Sequence, residues 1–483
     1  MPEKPINKIV TRFAPSPTGF MHVGSVRTAL FGWIFSRKNN GTFILSIEDT
    51  DKEREVEGSI EHIIKSLKWI GMNWDEGPDI GGPNEPYIQS QRLDTYKKYA
   101  EQLYNKGLAY ADPYTEEQVA ELRKKSEEQK KAFLYRDYRP ENPPKWDGSQ
   151  PLRLKIVNPK RLIWNDLARG ELSAGPEALD DFILMKSDGY PTYNFAHIID
   201  DLYMGVTHIF RADEFISSTP KFLALYEALG IKRPEFVTLP PILGAEGKKK
   251  LGKRDGAKDV LGYKDDGILP EALLNFLVFI GWNPGDEREV MSLDEIIGAF
   301  EISKIQTAGG QFNEEKLIWL NKEHLKRLPI NKLREKFTEI LSKKYSFNED
   351  LLNKITNTIL ERINTYGELE KYVTEGEFDY LFIDPQPNKE MLIWKKDTDF
   401  SIPKNNLLEI IKILENISDS DYIEEQLKAV IMPKAEELGK GSVLWPLRVA
   451  LSGKEKSPDP FTLLSIIGKS CSIKRIQTAL SLL

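Results

Sequence analysis

Pro15-Ser16-Pro17-Thr18-Gly19-Phe20-Met21-His22-Val23-Gly24 joins two segments of opposite character. Before it, Ile9 to Phe13 reads as a buried strand. After it, Val26, Leu30, Trp33 and Ile34 recur at helical spacing up to Arg37. Two prolines and a glycine forbid regular structure in the join itself. Thr42 to Ile47 is the next strand, and it ends in the acidic turn Glu48-Asp49-Thr50-Asp51. Strand, loop, helix, strand predicts a right-handed βαβ unit with a helix N-terminus open at its mouth. The spacing therefore predicts an α/β fold with a Rossmann-like core.

A second stretch, Lys248-Lys249-Lys250-Leu251-Gly252-Lys253-Arg254, gives that mouth a chemistry. Alone, a lysine run reads as a solvated loop. With the first stretch, it describes an ATP site with two jaws. His22 and the amides of a helix N-terminus hold phosphate from one side. Lys250 and Lys253 neutralise the departing pyrophosphate from the other, on a loop that Gly247 and Gly252 allow to move. Gly24 has no side chain, so the adenine end can lie close to the backbone. Magnesium is expected to arrive with the ATP rather than in a protein cage. The blander readings are that His22 only caps the helix and that the lysines only face water.

Arg12 ends the first strand, where open α/β sheets bind ligands, and its planar fork suits a carboxylate. An ion pair with Glu48 is the structural alternative. Tyr193 and Arg211 flank a later crossover and could line the same pocket. The acidic turn at Glu48, Asp49 and Asp51 reads as a cap or solvated loop, with no metal site expected. The five histidines are scattered, with no metalloprotease pair.

Between Tyr87 and Pro191 the alternation breaks up, as in an insertion. Helices are expected over Arg92 to Lys106 and Thr115 to Tyr135, beside short strands such as Leu152 to Ile156. The sheet resumes at His208 to Arg211. Beyond about Leu328 the texture becomes helical: Ile330 to Lys344, Glu349 to Tyr366, Asn405 to Ile417 and Tyr422 to Leu438. An α/β front half and an all-helical rear half are expected. Lys326, Arg327, Lys332, Arg334, Lys336, Lys343 and Lys344 crowd the start of the rear half, either as a solvated face or as contacts to RNA phosphate.

The bulk numbers set bounds. The 483 residues allow two to four domains. A 40% hydrophobic and 29% charged composition is that of an ordinary soluble protein. Cys471 is the single cysteine, which excludes an internal disulfide and a thiolate zinc cluster. A reducing, cytoplasmic location is expected. Met1 to Lys8 has no apolar core, so no secretory signal is expected. No apolar run approaches the ~20 residues that span a bilayer, so no membrane partner is expected. The net charge of −7 counts weakly against RNA binding, which needs only a local basic face.

Taken together, the chain resembles the class I aminoacyl-tRNA synthetases, and among them the bacterial-type glutamyl-tRNA synthetases. The resemblance runs over essentially the whole length. It is carried by Arg12 to Gly19, His22-Val23-Gly24, Ile47-Glu48-Asp49-Thr50-Asp51, Asp188-Gly189-Tyr190-Pro191-Thr192-Tyr193-Asn194-Phe195-Ala196 and Leu269-Pro270-Glu271-Ala272-Leu273-Leu274-Asn275. His22-Val23-Gly24-Ser25 is similar to the family's HIGH motif, and Lys250-Leu251-Gly252-Lys253-Arg254 to its KMSKS loop. The resemblance implies ATP-dependent attachment of L-glutamate to the 3′ end of tRNA(Glu) through a glutamyl-adenylate. Whether tRNA(Gln) is also charged stays open. It implies a glutamate pocket at Arg12, Ala14, Ser16, Glu48, Tyr193, His197 and Arg211. Arg12 and Arg211 would take the carboxylates and Glu48 the α-ammonium. His22, Gly24, Lys250 and Lys253 would serve ATP with Mg2+. A monomer is expected.

The same resemblance divides the chain. A catalytic domain over 1–88 and 195–242 would be split by an acceptor-end insertion over 89–194. A KMSKS-loop and stem-contact region would follow over 243–328, then helical anticodon-binding subdomains over 329–385 and 386–483. Three positions depart from the family pattern. Gly252 stands where a serine is usual. His197 stands where relatives more often carry Val or Asn, and its imidazole, if protonated, would attract a carboxylate. The zinc site of some relatives has no cysteines here, so no protein-bound zinc is expected. The competing readings are a glutaminyl enzyme, which should carry a β-barrel anticodon module, a truncated paralogue without the rear half, a small-molecule adenylating ligase and a non-catalytic RNA binder.

Overall fold

The computed structural model describes residues 8–244, 246–247, 249–251 and 258–483. The opening unit forms as its spacing predicts: strand β1 (Val10–Phe13), helix α1 (Val23–Lys38), strand β2 (Thr42–Leu45). β1 and β2 are parallel, with Arg12 opposite Ile44 and Phe13 opposite Leu45. Val26, Leu30 and Ile34 are fully buried, which is the apolar stripe that fastens α1 to the sheet. Helix α2 (Ser59–Trp69) follows.

The central sheet is mostly parallel. β1 also pairs with His208–Ala212, and that strand pairs in parallel with Glu235–Leu239. Part of the stretch read as an insertion continues this sheet. The hairpin Leu162–Asp166 with Gly170–Ala174 joins the free side of Glu235–Leu239. The strands Ala109–Ala111, Leu152–Leu154 and Ile183–Met185 form a separate antiparallel sheet. The helix expected over Thr115 to Tyr135 is shorter, Glu116–Glu128, with a 3-10 turn at Tyr135–Tyr138.

The chain divides into two compact units, Met1–Asp265 with Leu269–Leu320, and Asp266–Ile268 with Asn321–Leu483. Among the described residues, the second unit contains helices and no strand. The mixed α/β front and helical rear match the expected fold class. The helix expected over Glu349 to Tyr366 ends at Arg362, because Ile363 turns extended and Thr365 caps a new helix, Tyr366–Glu375, through the Glu368 amide. Three further helices, Lys440–Ser452, Pro460–Ile467 and Lys469–Leu480, complete the rear. In the basic stretch, Lys326, Lys336, Lys343 and Lys344 pair with Glu323, Glu339, Glu370 and Asp379. Such pairing is what a solvated helical face does with its charges.

Among the described residues, no helix is long and apolar enough to cross a membrane. None of them forms a group of three or more His, Cys, Asp or Glu able to hold a metal ion. Cys471 is exposed and carries a free thiol.

Candidate active site

A cavity of about 690 Å³ opens at the carboxyl ends of β1, β2 and His208–Ala212. Arg12, Ala14, Ser16, His22, Gly24, Glu48, Tyr193, His197, Arg211 and Lys250 all line it. Lys253 and Gly252 lie outside the described residues.

The end of the cavity where ATP is expected from the sequence is built by the turn between β1 and α1. His22 is the N-cap of α1, and its Nδ1 accepts a hydrogen bond from the Gly24 amide at 3.1 Å. The ring thus caps the helix and faces the cavity at once. Gly24 has a steric reason of its own: a Cβ there would lie 2.9 Å from His22 Cε1. Lys250 reaches the cavity as the lysine segment turns back on Ile242–Leu243, with Leu251 N donating to Ile242 O at 2.8 Å. Its ammonium is ion-paired with Glu214, and both side chains are exposed.

The end where the amino acid is expected from the sequence is built by backbone bonds that continue the β1–β2 ladder. Ser46 N donates to Phe13 O and Glu48 N to Pro15 O, which swings Glu48 in beside Arg12. Arg12 donates from Nε to Asp201 Oδ1 at 2.8 Å and from Nη1 to Ser46 Oγ at 2.8 Å. Glu48 Oε1 lies 3.5 Å from Arg12 Nη1. The Arg12–Glu48 ion pair foreseen as the structural alternative is therefore present, but the closer partner is Asp201. Burial opposes the Arg12 charge, yet Asp201, Glu48 and Asp200 outweigh it and hold the guanidinium firmly protonated. Glu48 moves the other way. Burial first, then the facing charges of Asp200 and Asp201, push its pKa up to about 7, against the pull of Arg12.

His197 is 2% exposed. Its Nδ1 lies 2.7 Å from Tyr193 O, so Nδ1 carries the hydrogen and Nε2 is an acceptor. Nε2 is buried without a hydrogen-bond partner. Burial, then the nearby Arg211 charge, hold its pKa well below the usual histidine range. Burial thus disfavours the protonated imidazole considered from sequence. Tyr193 stacks on His197 at 4.7 Å, and Phe222 meets it edge-on at 4.5 Å. Arg211 lies over Phe222 and Phe215, with Nη1 buried and unpartnered.

Sequence reading missed Asp201, Arg27 and Glu214. Asp201 had a signal: Tyr193, His197 and Asp201 are spaced by four on one helix, Tyr193–Met204, so they share a face. Arg27 is buried on α1 and lines the cavity. Its Nη1 donates to Ile280 O at 2.9 Å and its Nη2 to Pro240 O. Burial lowers its pKa to about 10, which leaves it charged at neutral pH. In the acidic turn, Asp49 accepts from Lys52 at 2.6 Å and from the Ser90 amide at 2.8 Å.

Residues 8–319 match the family described as tRNA synthetases class I (E and Q), catalytic domain. The chain belongs to that family. Residues 331–480 match an anticodon binding domain. A glutamate–tRNA ligase of Clostridium kluyveri is 39% identical over 98% of this chain and 97% of its own length. One from Anaeromyxobacter sp. strain K is 37% identical over 98% of each chain. Among solved structures, a glutamate tRNA ligase from Elizabethkingia meningosepticum in complex with its amino acid superposes with a TM-score of 0.87 at 35% identity. That match covers 98% of this chain and 99% of the other. A glutamate-tRNA synthetase from Elizabethkingia anophelis gives 0.83 at 35% identity over 98% and 100%.

Proposed function

We propose that this chain attaches L-glutamate to the 3′ end of tRNA(Glu), with ATP as the energy source. The observation that carries the reading is the convergence, in one cavity, of a helix N-terminus and Lys250 with a second group of buried charges. The first set suits phosphate. The second, Arg12, Glu48 and Arg211, suits an amino acid with two carboxylates and one ammonium. Glutamate–tRNA ligases at 36–39% identity over nearly the full length support the same substrate.

In the first step a glutamate carboxylate oxygen attacks the α-phosphorus, and pyrophosphate leaves. In the second a terminal ribose hydroxyl attacks the acyl carbon, AMP leaves, and the hydroxyl proton passes to solvent. His22, Gly24, Lys250 and Lys253 would serve ATP, with Mg2+ bound to its phosphates. Arg12, Ala14, Ser16, Glu48, Tyr193, His197 and Arg211 would hold glutamate. Positioning and charge stabilisation do the chemistry, with no covalent enzyme intermediate.

The rest of the proposal follows the six-part division. Residues 89–194 would hold the acceptor end, 243–328 the stem, and 329–385 with 386–483 the anticodon. The helical rear favours a glutamyl over a glutaminyl enzyme, for which a β-barrel is expected. A cytoplasmic monomer without bound zinc is the accompanying reading. Charging purified tRNA(Glu) and tRNA(Gln) with glutamate and glutamine in competition tests it. Glutamate on tRNA(Glu) is expected; transfer of glutamine alone would overturn it, and glutamate on both tRNAs would widen the substrate range.

A further inference from the structure

His62 lies on α2, outside the cavity lining, yet it touches both chain segments that border the nucleotide end. On one side the Met21 amide donates to His62 Nδ1 at 3.3 Å. Met21 immediately precedes His22. On the other side His62 Nε2 lies 3.1 Å from Asp259 Oδ1. Because a backbone N–H occupies Nδ1, the neutral ring carries its hydrogen on Nε2 and donates it to Asp259. The ring is nearly buried, with 10% of the side chain exposed, and Phe20 stacks flat on it at 4.4 Å and 9°.

Asp259 is where the chain returns after the lysine segment. The return is zipped onto the His22 turn: Val260 N donates to Met21 O at 2.9 Å, and His22 and Asp259 form an antiparallel bridge. Asp259 Oδ1 also accepts from the Leu261 and Gly262 amides, so the oxygen that His62 holds also starts the next helix, Val260–Asp265. The other end of the segment is fixed independently, by the Leu251–Ile242 and Gly244–Lys249 backbone bonds. One imidazole therefore ties the turn bearing one proposed phosphate ligand to the return of the segment bearing the others.

We propose that His62 is a positioning residue that registers the chain's return at Asp259, after the lysine segment, against His22, through Asp259 on one ring nitrogen and the Met21 amide on the other. It does not line the cavity proposed for ATP and glutamate. Its kinetic consequence rests on the ligase reading above; its structural consequence does not. Ser66 Oγ, 3.3 Å from Nδ1 and one helical turn along α2, gives the ring a further contact from its own helix.

The test compares His62→Ala, His62→Gln and His62→Asn in the full chain. A glutamine amide reaches the place of Nε2 and can still donate to Asp259. An asparagine amide reaches only the place of Nδ1. Two readouts are taken: amide hydrogen exchange over residues 258–262, and ATP–pyrophosphate exchange with tRNA and glutamate present. For the alanine and asparagine variants, amide exchange should accelerate and kcat/KM for ATP should fall, each on the order of tenfold, as expected for losing a hydrogen bond to a charged acceptor. KM for glutamate should stay within about twofold, because the tie lies at the nucleotide end. The glutamine variant should recover most of both effects. Amide exchange over 258–262 that is the same in all four proteins would overturn the tie. So would equal losses of kcat/KM in the glutamine and asparagine variants, or a loss shared equally between ATP and glutamate. If the alanine variant does not fold, the glutamine–asparagine pair decides alone. A wild-type protein without glutamate-dependent exchange overturns the ligase reading instead, and amide exchange still judges the tie.

Discussion

Asp201 Oδ1 sits 2.8 Å from Arg12 Nε, and both side chains are about 5% exposed. Arg12 is therefore not an idle fork waiting for a carboxylate; part of it is already engaged. Removing one member of a buried pair strands the other, at a cost of about 3–5 kcal/mol. Asp201→Ala should lower stability toward the small end of that range, since Glu48 and Ser46 still face the guanidinium. It should also raise KM for glutamate, because Arg12 loses the anchor that aims it. Urea unfolding and exchange kinetics on the same preparation check both. A variant with unchanged stability would mean that the pair is relaxed by water.

The same relationship changes what Arg12→Gln should do. The substitution should weaken glutamate use and narrow the preference over glutamine, since an amide does not need the lost charge. It should also destabilise the fold, because Asp201 is left buried and unpaired. The neutral His197 should not mask the effect, so the narrowed ratio should be equal at pH 6 and pH 8. A ratio that narrows at only one pH would show that a group titrating between the two, Glu48 or His197, also sets the preference.

Glu48 gives a pH dependence with a definite sign. Its pKa of about 7 in the empty cavity means that roughly half the carboxyl is protonated at neutrality. An ammonium needs the ionised form. Binding should thus release a proton, and glutamate affinity should fall as pH drops through 7, by roughly tenfold per unit at the acid end. Titration calorimetry at pH 6 and pH 8 in buffers of different ionisation enthalpy measures the proton directly. Glu48→Gln should bind glutamate more weakly at pH 8 and flatten the profile. An unaltered profile in that variant would assign the titration to another group.

Lys250 and Glu214 form an exposed pair, and such pairs contribute only about 0–1 kcal/mol. Glu214→Gln should therefore leave thermal stability nearly unchanged while releasing Lys250 toward phosphate, raising kcat modestly. Lys250→Ala should act in the opposite direction and mainly on kcat, by roughly 2.7–4 kcal/mol if the ammonium meets developing charge. Should Lys250→Ala change only KM, the lysine contributes to ground-state binding alone.

Gly24→Ala probes the cap. The new methyl would press on the His22 ring at 2.9 Å, and the ring is the softer party. We expect a folded protein by circular dichroism, with ATP–pyrophosphate exchange reduced by on the order of tenfold or more. Glutamate binding should be retained. Full exchange activity would show that the ring position tolerates the push.

Much of the fold was legible because its elements are periodic. The apolar stripe of α1 and the runs on either side of the Pro15–Gly24 turn follow from local spacing alone. The break at Ile363–Thr365 was not, because the apolar pattern continues across it and only a threonine cap marks the restart. The hairpin Leu162–Ala174 read as part of an insertion, since pairing with Glu235–Leu239 is a long-range event with no local signature. In the cavity, the motif residues stood out by type, whereas their partners did not. Asp201 could have been found from its four-residue spacing to His197. Glu214 and Arg27 are ordinary in sequence; the first is recruited by a lysine 36 positions on, and the second is identified only by the two carbonyls it reaches.

Arg27 and Arg211 share a property that the other two cavity cations lack. Arg12 is balanced by Asp201 and Glu48, and Lys250 by Glu214; among the described residues Arg27 has the charge of Asp213 nearby but no ion pair, and Arg211 makes none either. The consequence of two cations without an ion pair is an expected affinity of the cavity for anions in general. Small anions of the medium should then compete there with glutamate and ATP. Apparent substrate affinities should then follow the identity of the buffer anion, weaker in sulfate or phosphate than in chloride at equal ionic strength. That order would distinguish competition inside the cavity from simple screening, which depends on ionic strength alone.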